Sequence, residues 1–354
     1  MTHAGAATGG AGMRHTTRQD EENQRLTYGV GIVGLGRVSR GHGTALKGAK
    51  GAKLVVACDI DEERVARYTD DHGCEGETDL DVMLQRDDVQ IVDVLLPHVL
   101  HEEAAIKALR AGKHVMVEKP MAMDTGACDR MIAAAKEAER ELFIAHTERF
   151  IAATRKAKEI LDSGQVGKPV MATDIWYQPF RRETRQPWMR DRARGGGFLQ
   201  MAGSHMIDRL VYLLDSPVKN ARASVRTVYH EDVQCDDAVM AFLETENGIP
   251  CSLSTVSYRD DANSGVDLHA TELLCTDGML KIDRRRRVFV SRDGKYEEVP
   301  IGDDQAVRLE WDAFTDTIDR GAEPPVPLAH ARHIVAVMEA CEESSRTGKT
   351  VLLN

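Results

Sequence analysis

A strand that breaks into a glycine-rich turn constrains the fold of this 354-residue chain more than any other feature. The run Tyr28-Gly-Val-Gly-Ile-Val-Gly-Leu-Gly-Arg-Val-Ser39 predicts a buried strand followed by a Gly34-x-Gly36-x-x-Ser39 turn. In the dinucleotide-binding fingerprint, the first glycine permits the tight turn and the second lets the backbone approach a pyrophosphate. A small third residue, here serine, lets the next helix pack on the strand with its N-terminus toward the phosphates. The residues predicted to contact the cofactor at this turn are Gly34, Gly36, Arg37 and Val38.

The end of the next predicted strand, 53–59, carries an acidic residue. Asp59 follows Gly34 by 25 positions, near the spacing at which a carboxylate binds the ribose hydroxyls of a dinucleotide. Such a carboxylate repels a 2′-phosphate, and Ile60 beside it offers no cation to receive one. The sequence therefore favours NAD over NADP, with Asp59 and Ile60 as cofactor-binding residues. The alternative is that Asp59 only caps the helix that starts near Asp61.

Composition excludes several classes of protein. The formal charge is 46 − 57 = −11, which argues against nucleic acid or an anionic membrane as a partner. We find no apolar run near the roughly 18 residues that span a bilayer. The seven cysteines are scattered and odd in number, without a Cys-x-x-Cys pair, which predicts reduced thiols in a cytoplasmic protein and neither a disulfide frame nor a zinc site.

The pattern along the chain predicts a tail and two domains. Residues 1–27, rich in Gly, Ala, Thr and His, are expected to be disordered. From 28 to 147, strands alternate with helices, which is typical of a doubly wound parallel sheet, the Rossmann dinucleotide-binding fold. From 148 to 354 we expect an α+β domain with a large, mostly antiparallel open sheet, which binds substrate and mediates oligomerisation. Its last helix, 328–347, could pack back toward the first domain. The predicted strands of the second domain are 170–177, 221–229, 237–243, 250–256, 266–275, 279–282 and 288–291.

The stretch His114-Val-Met-Val-Glu-Lys-Pro120 holds a candidate catalytic group. Its β-rich start predicts a strand that delivers Glu118 and Lys119 to its carboxyl end, where ligands collect in an open α/β sheet. Pro120 restricts the backbone there. A lysine in this place can hold its ammonium against a cofactor or a substrate hydroxyl.

Several motifs in order resemble those of the Gfo/Idh/MocA oxidoreductases, the group of glucose–fructose oxidoreductase and inositol dehydrogenase. The resemblance runs from about Tyr28 to Leu353. Its landmarks are the Gly34/Gly36 turn, Asp59, Pro97, His101, Glu118-Lys119-Pro120, Arg149-Phe150 and the box Gly195-Gly-Gly-Phe-Leu-Gln-Met-Ala-Gly-Ser-His205-Met-Ile-Asp208.

By this resemblance, Lys119 and His205 are the catalytic pair. Histidine suits the transfer of a hydroxyl proton near neutral pH, and a lysine on the same oxygen stabilises a developing alkoxide. The resemblance also implies that Asp208 binds substrate or orients His205, with a helix-surface carboxylate as the alternative. The chain departs from the family at Met201, where many alcohol-oxidising members have Asp or Asn, so a simple inositol dehydrogenase activity is in doubt. The remaining cofactor contacts implied are Leu96, Pro97, His98, His101, Glu118 and Lys119.

An arginine-rich segment, 180–194, leads into the Gly195 box. Its six arginines could clamp a carboxylate or phosphate, although a solvated or subunit-contacting loop is the alternative. We predict Trp188, Arg190 and Arg149 as substrate-binding residues. The run Arg284–Arg287 is expected to be an exposed strand edge. His98 and His101 have no third ligand at a useful spacing, so no metal site is predicted. His146 is expected to line the same cleft.

The sequence thus predicts an NAD-dependent oxidoreductase that acts on a secondary alcohol of a sugar, cyclitol or related polyol. It is expected to form a homodimer or homotetramer through the open sheet, with no nucleic-acid or membrane partner. Relatives within the family leave other activities open. These are cleavage of glycosidic bonds through a transient 3-keto intermediate, oxidation of dihydrodiols, and dinucleotide sensing without catalysis.

Overall fold

The computed structural model describes Met1, residues 26–259 and residues 267–353. Most of the tail predicted to be disordered, 1–27, lies outside the described residues, as does Val266, the predicted start of a strand. Among the described residues, no helix combines the length and the apolarity that a membrane span requires.

The first half of the described chain builds a parallel sheet of six strands in the order β3-β2-β1-β4-β5-β6. The chain reverses its direction of winding between the neighbours β1 and β4, and ligands bind at such a switch point in doubly wound folds. The strands are β1 (Tyr28–Val33), β2 (Ala52–Cys58), β3 (Glu75–Glu77), β4 (Ile91–Val94), β5 (His114–Glu118) and β6 (Leu142–Ala145). The helices are α1 (Ser39–Leu46), α2 (Glu62–His72), α3 (Leu80–Leu84), α4 (His101–Arg110) and α5 (Thr125–Ala138).

The second half forms a mixed sheet of nine described strands in the order β14-β13-β12-β11-β7-β10-β9-β8-β15. Within this second sheet, as far as the structure describes it, only the pairing of β7 with β10 is parallel, so the predicted fold class is confirmed. The helices are α6 (Ala152–Asp162), α7 (Ser204–Leu214), α8 (Ala306–Arg320) and α9 (Leu328–Thr347). The strands are β7 (Pro169–Pro179), β8 (Val218–Arg226), β9 (Ala238–Thr245), β10 (Pro250–Tyr258), β11 (Leu268–Cys275), β12 (Gly278–Asp283), β13 (Val288–Arg292), β14 (Lys295–Val299) and β15 (Val351–Leu352).

The nine-stranded sheet has one covered face and one open face. Along β9, Val239, Ala241 and Leu243 are buried, whereas Met240 and Phe242 between them are 62% and 52% exposed. Helices α6 and α7 pack against the covered face. This alternation of period two is what a sheet with one solvated face requires.

The predicted limits of the strands in the second domain differ from those observed, most of all at 221–229. The strand predicted at 221–229 runs from Val218 to Arg226. Beyond Arg226 the backbone turns because the Asp237 carboxylate accepts three consecutive N–H groups, from Val228, Tyr229 and His230, at 2.7, 2.8 and 2.8 Å. These amides are therefore lost to the strand ladder.

The last two helices contact the first sheet's domain. The Tyr28 hydroxyl donates to Asp319 of α8 at 2.6 Å. Arg332 of α9 pairs with Asp129 of α5 at 2.5 Å. The two sheets are therefore connected through α8, which contacts β2, and through α9, which contacts β6 and β8.

Candidate active site

The glycine turn after β1 has the geometry that a pyrophosphate needs. Gly34 has a φ of 94°, and a Cβ there would lie 2.6 Å from the Leu95 carbonyl oxygen, so only glycine fits. At Gly36, in contrast, a Cβ would meet no atom within 4 Å. The turn is closed on the strand side and open where a phosphate would lie, with Arg37 and Val38 exposed beside it. A side chain at position 36 would fill this open space.

Asp59 lies directly behind this turn. Its Oδ2 accepts the Leu35 N–H at 2.8 Å and its Oδ1 accepts the Asp61 N–H at 3.0 Å. Asp61, not Asp59, caps α2, because its side chain accepts from the N–H groups of Glu63 and Arg64. The alternative assignment of Asp59 as the helix cap is therefore wrong. A carboxylate oxygen can accept a second hydrogen bond, so Asp59 remains able to bind ribose hydroxyls.

A cavity of about 860 Å³ opens beside the turn and receives residues from both domains. Arginines give it a cationic wall, although Arg40 pairs with Asp71 at 3.3 Å and Arg64 with Asp61 at 3.1 Å. The size and charge fit the adenosine and phosphate part of a dinucleotide. The lining is Leu35, Gly36, Arg37, Ser39, Arg40, Arg64, Arg67, Tyr68, Asp70, Asp71, Thr184 and Gln186.

The two histidines after β4 connect segments of the cleft. His101 is buried, with its ring nitrogens 2.9 Å from the Leu96 carbonyl oxygen and 3.0 Å from that of Pro120. The Nδ1 of buried His98 lies 2.7 Å from the Gly195 carbonyl oxygen. Both predicted cofactor residues thus hold the backbone of the cleft, next to Pro97. No cluster of three potential metal ligands occurs among the described residues.

The first glycine of the box, Gly195, is required by its backbone conformation and by its closeness to His98. Its φ is 93°, and a Cβ there would approach the Cβ of His98 to 2.5 Å. Trp188 packs edge-on against the same imidazole, with the ring centroids 4.8 Å apart. The arginine-rich segment and the box that follows it are therefore anchored on the first domain at His98.

Lys119 is half-buried at the carboxyl end of β5, as predicted for a group that faces the cleft. Its Nζ donates to the Met201 carbonyl oxygen at 3.0 Å. Burial lowers the pKa of this ammonium, while Glu118 and Glu148 oppose the shift. The contact joins the two motifs, because Met201 lies four residues before His205.

His205 is the second residue of α7, the helix that follows a π-helical turn, Leu199–Gly203. Such turns recur at functional sites because they displace the residues around them. Burial lowers the pKa of His205 well below 6.5, and the Lys119 ammonium lowers it further. The imidazole is therefore neutral near pH 7 and able to accept a proton. Its Nδ1 has no hydrogen-bond partner among the described residues.

Asp208 and Arg149, both predicted to bind substrate, lie together in a buried ion cluster. Asp208 Oδ1 accepts from Arg149 Nε at 3.0 Å and Nη2 at 2.8 Å, and it lies 2.8 Å from His330 Nε2. Asp208 Oδ2 faces His146 Nδ1 at 3.5 Å. The pKa of Asp208 falls despite burial, owing to His146, Arg149 and His330. The cluster thus holds together α7, α9 and the 3-10 turn Thr147–Phe150 that carries Arg149.

Within the described part of the chain, five of the six arginines of segment 180–194, all but Arg194, have side-chain contacts that tie them to the protein. Arg190 Nη2 donates to the carbonyl oxygens of Arg182 at 3.3 Å and Arg185 at 3.0 Å. Arg182 pairs with Asp232 at 2.5 Å. The predicted substrate contact of Arg190 stays a prediction, and the observed contacts shape the loop. Arg284–Arg287 is not a strand edge as predicted but lies in the turn between β12 and β13, with Arg284 paired to Asp267 at 2.7 Å.

Two residues near the site, Trp176 and Asp236, were missed in the sequence. Trp176 of β7 stacks on His269 with the ring centroids 4.3 Å apart, and its ring lies 6.1 Å from that of His205. Asp236 fixes the start of the π-helical turn by accepting the Leu199 N–H at 2.8 Å. His146 follows β6, directly beside Lys119, since Glu118 and Ala145 are register partners. His146, unlike these two residues, was already expected in the cleft from the sequence.

Comparisons with known proteins match both halves of the chain. The model of the oxidoreductase family with an NAD-binding Rossmann fold, GFO/IDH/MocA, matches residues 28–146, and the GFO/IDH/MocA C-terminal domain matches 154–281. Inositol 2-dehydrogenase 3 of Saccharopolyspora erythraea is 30% identical over 339 residues, 92% of this chain and 95% of the relative. Inositol 2-dehydrogenase of Salmonella typhimurium is 25% identical over 338 residues, with 93% and 97% covered.

A solved structure shares the fold. The WlbA dehydrogenase of Bordetella pertussis, in complex with NADH and UDP-GlcNAcA, superposes with a TM-score of 0.81 at 23% identity. The match covers 93% of this chain and 98% of that one.

Proposed function

The chain belongs to the Gfo/Idh/MocA oxidoreductase family, and we propose that it is an NAD-dependent dehydrogenase acting on a secondary alcohol of a sugar, cyclitol or related polyol. The observation that carries this proposal is the contact of Lys119 Nζ with the Met201 carbonyl oxygen at 3.0 Å. It places the lysine of one motif beside the histidine helix of the other, at the carboxyl edge of the parallel sheet. The polyol class is supported by relatives named inositol 2-dehydrogenase.

The side chains divide the reaction between them. NAD, when bound, supplies the acceptor for the hydride that leaves the carbinol carbon. Neutral His205 accepts the hydroxyl proton, and the Lys119 ammonium donates a hydrogen bond to the same oxygen as negative charge develops on it. Gly34, Gly36 and Asp59 would hold the dinucleotide, and Trp176 offers an aromatic surface to the apolar face of a sugar ring beside His205.

The test is an absorbance assay for NADH with a panel of pyranoses, uronic acids and inositols, each with NAD⁺ and with NADP⁺. Turnover of one substrate class with NAD⁺ supports the proposal. Tight binding of NAD without net NADH from any compound would overturn it and would point to transient redox catalysis or sensing.

We propose NAD as the preferred cofactor because of Asp59. An Asp59→Asn variant removes the charge that repels a 2′-phosphate, while Arg37 and Arg40 remain in the cavity wall. We expect the ratio of kcat/KM for NADP⁺ to that for NAD⁺ to rise at least roughly tenfold, about 1.4 kcal/mol. Steady-state kinetics with both cofactors measure the ratio.

Asp61→Asn is the matched control, since it makes the same charge change two residues away, at the cap of α2. It should leave the cofactor ratio unchanged. An equal rise in both variants would mean that the net charge of the region, and not a contact of Asp59, sets the preference.

We also propose that the open face of the nine-stranded sheet joins subunits into a homodimer or homotetramer, and that the enzyme is cytoplasmic.

A Phe242→Lys change on this face should convert the assembly to a monomer, because an ammonium would be buried without a partner. Analytical ultracentrifugation measures the result. Val82→Lys, at an exposed position on α3, is the control that should leave assembly intact. A monomeric wild type would contradict the proposal.

A further inference from the structure

A buried charge network lies directly behind the catalytic lysine and has no part in the reaction described above. Its centre is His42 of α1, which is 1% exposed. The Nδ1 of His42 lies 2.8 Å from Asp93 Oδ2, and its Nε2 lies 3.5 Å from Glu118 Oε1. One imidazole therefore faces two carboxylates, from β4 and from the end of β5.

The position of the Asp93 carboxylate is unfavourable for a charged group. It occupies a wholly buried position on a central strand, between Ile32 of β1 and Met116 of β5. Its Oδ1 has no hydrogen-bond partner among the described residues. Burying a carboxylate oxygen without a partner is unfavourable, so the main compensation for Asp93 is the contact with His42.

Glu118 connects His42 to the active site. Its Oε2 accepts the backbone N–H of Lys119 at 3.0 Å, while its Oε1 faces His42. The side chain therefore spans the distance between the imidazole and the backbone that carries the catalytic ammonium. Both ends of Glu118 are fixed.

The charges around His42 favour an imidazolium. Burial opposes its charge, but Asp93 and Glu118 together raise the pKa of His42 well above 6.5. Burial tends to raise the pKa of Glu118, yet His42 and Lys119 hold it below its usual value. Glu310 of α8 also faces the group, and burial raises its pKa to about 8, so it is protonated at neutral pH. The uncharged edge of Trp311 completes the surroundings.

We propose that His42, clamped by Asp93, is a positioning residue that holds Glu118 against the backbone of Lys119 and so aims the Lys119 ammonium at the substrate. The proposal rests on the proposed function for its kinetic consequences. It gives Asp93 and His42 a role in the reaction although neither touches substrate.

The kinetic test compares two substitutions of His42. In His42→Gln the amide nitrogen can take the place of Nε2 and reach Glu118, whereas in His42→Asn it can take only the place of Nδ1. We expect His42→Asn to lower kcat roughly 10- to 100-fold, because small displacements of a catalytic group cost that much, with the KM for NAD⁺ little changed. His42→Gln should recover most of the loss. Asp93→Asn should lower kcat about as much as His42→Asn does. The double variant, His42→Asn with Asp93→Asn, should have a kcat no lower than that of either single variant.

The pH profile separates positioning from a purely structural role. Glu118 and Glu148 support the charge of Lys119, against burial and Arg37. In His42→Asn, Glu118 is no longer held, so it supports the charge of Lys119 less and the pKa of Lys119 falls. The alkaline limb of the kcat/KM profile should therefore move to lower pH. Trp311→Phe, an uncharged change beside the same imidazole, should leave both kcat and this limb unchanged. Equal losses of kcat in His42→Asn, His42→Gln and Trp311→Phe, without a shift of the limb, would overturn the proposal.

A measurement on the wild-type protein keeps the test independent of substrate and of the folding of variants. With ¹⁵N-labelled histidine, NMR should show one buried histidine with both ring nitrogens protonated at pH 8, while His98, His146 and His205, whose pKa values are lowered, are neutral. If all buried histidines are neutral there, the clamp is wrong. If no polyol is oxidised, the proposed function fails, and the spectrum still decides on His42.

Discussion

Lys119→Met should reduce kcat by about 10³-fold, since it removes the donor that stabilises the developing alkoxide. The substitution keeps the length of the stem and much of its volume, so the fold should persist. The ammonium lies half-buried, where a hydrogen bond to a charged oxygen is worth more than in water. Single-turnover and steady-state kinetics with the best polyol found would measure the loss, and the Kd for NAD⁺ should change far less.

Lys113→Met is the matched control. This lysine precedes the same strand, is also half-buried, and its Nζ donates to the carbonyl oxygens of Arg86 and Val89, both at 2.8 Å. Its loss should lower the unfolding midpoint and leave kcat close to wild type. If Lys119→Met keeps more than a tenth of the wild-type kcat, then Lys119 is not the group that stabilises the alkoxide.

The first domain could be predicted from local patterns because its information is local. The glycine turn, the strands on either side of it and Asp59 all lie within 32 residues, and each has a periodicity or a steric requirement of its own. The steric need at Gly34 was readable because the turn type demands it. The strand β3 was missed, since Glu75–Glu77 is polar and only its pairing with β2 makes it a strand.

The site was predictable only where a motif encodes it. Lys119 and His205 were found through their motifs, but the contacts that surround them join distant positions. His330 reaches Asp208 across 122 residues, and His42 reaches Asp93 across 51. No local pattern reports such pairs, because the partners lie on different elements and meet only in the folded protein. The same reason explains why Trp176 was read as one more residue of a strand.

Met201 shows how a departure from the family pattern gains a structural meaning. Its thioether cannot replace the carboxylate or amide that many relatives have there, yet its backbone carbonyl binds Lys119. The lysine therefore keeps a polar partner at this position through the main chain. This hydrogen bond orients the ammonium toward the helix that carries His205. A substrate hydroxyl that approaches Lys119 would compete with the Met201 carbonyl for the ammonium.

Asp208→Asn should lower the free energy of unfolding by about 3–5 kcal/mol, the usual cost of leaving one partner of a buried ion pair alone. Asparagine has the same shape, but it cannot balance the Arg149 guanidinium, which is buried against Asp208 Oδ1. Urea unfolding followed by circular dichroism would measure the change. Asp129→Asn, which breaks the exposed pair with Arg332, is the control and should leave the urea midpoint nearly unchanged.

The effect of Asp208 should also depend on pH in a defined direction. Its folded-state pKa lies below the usual 3.8, so its stabilisation is fully present above that pH. The stability difference between wild type and Asp208→Asn should therefore shrink as the pH falls below 3.8 toward the depressed pKa. If the variant instead unfolds at the wild-type urea concentration and only its KM for substrate rises, the carboxylate serves substrate binding and not the cluster, because a structural carboxylate cannot be removed without a loss of stability.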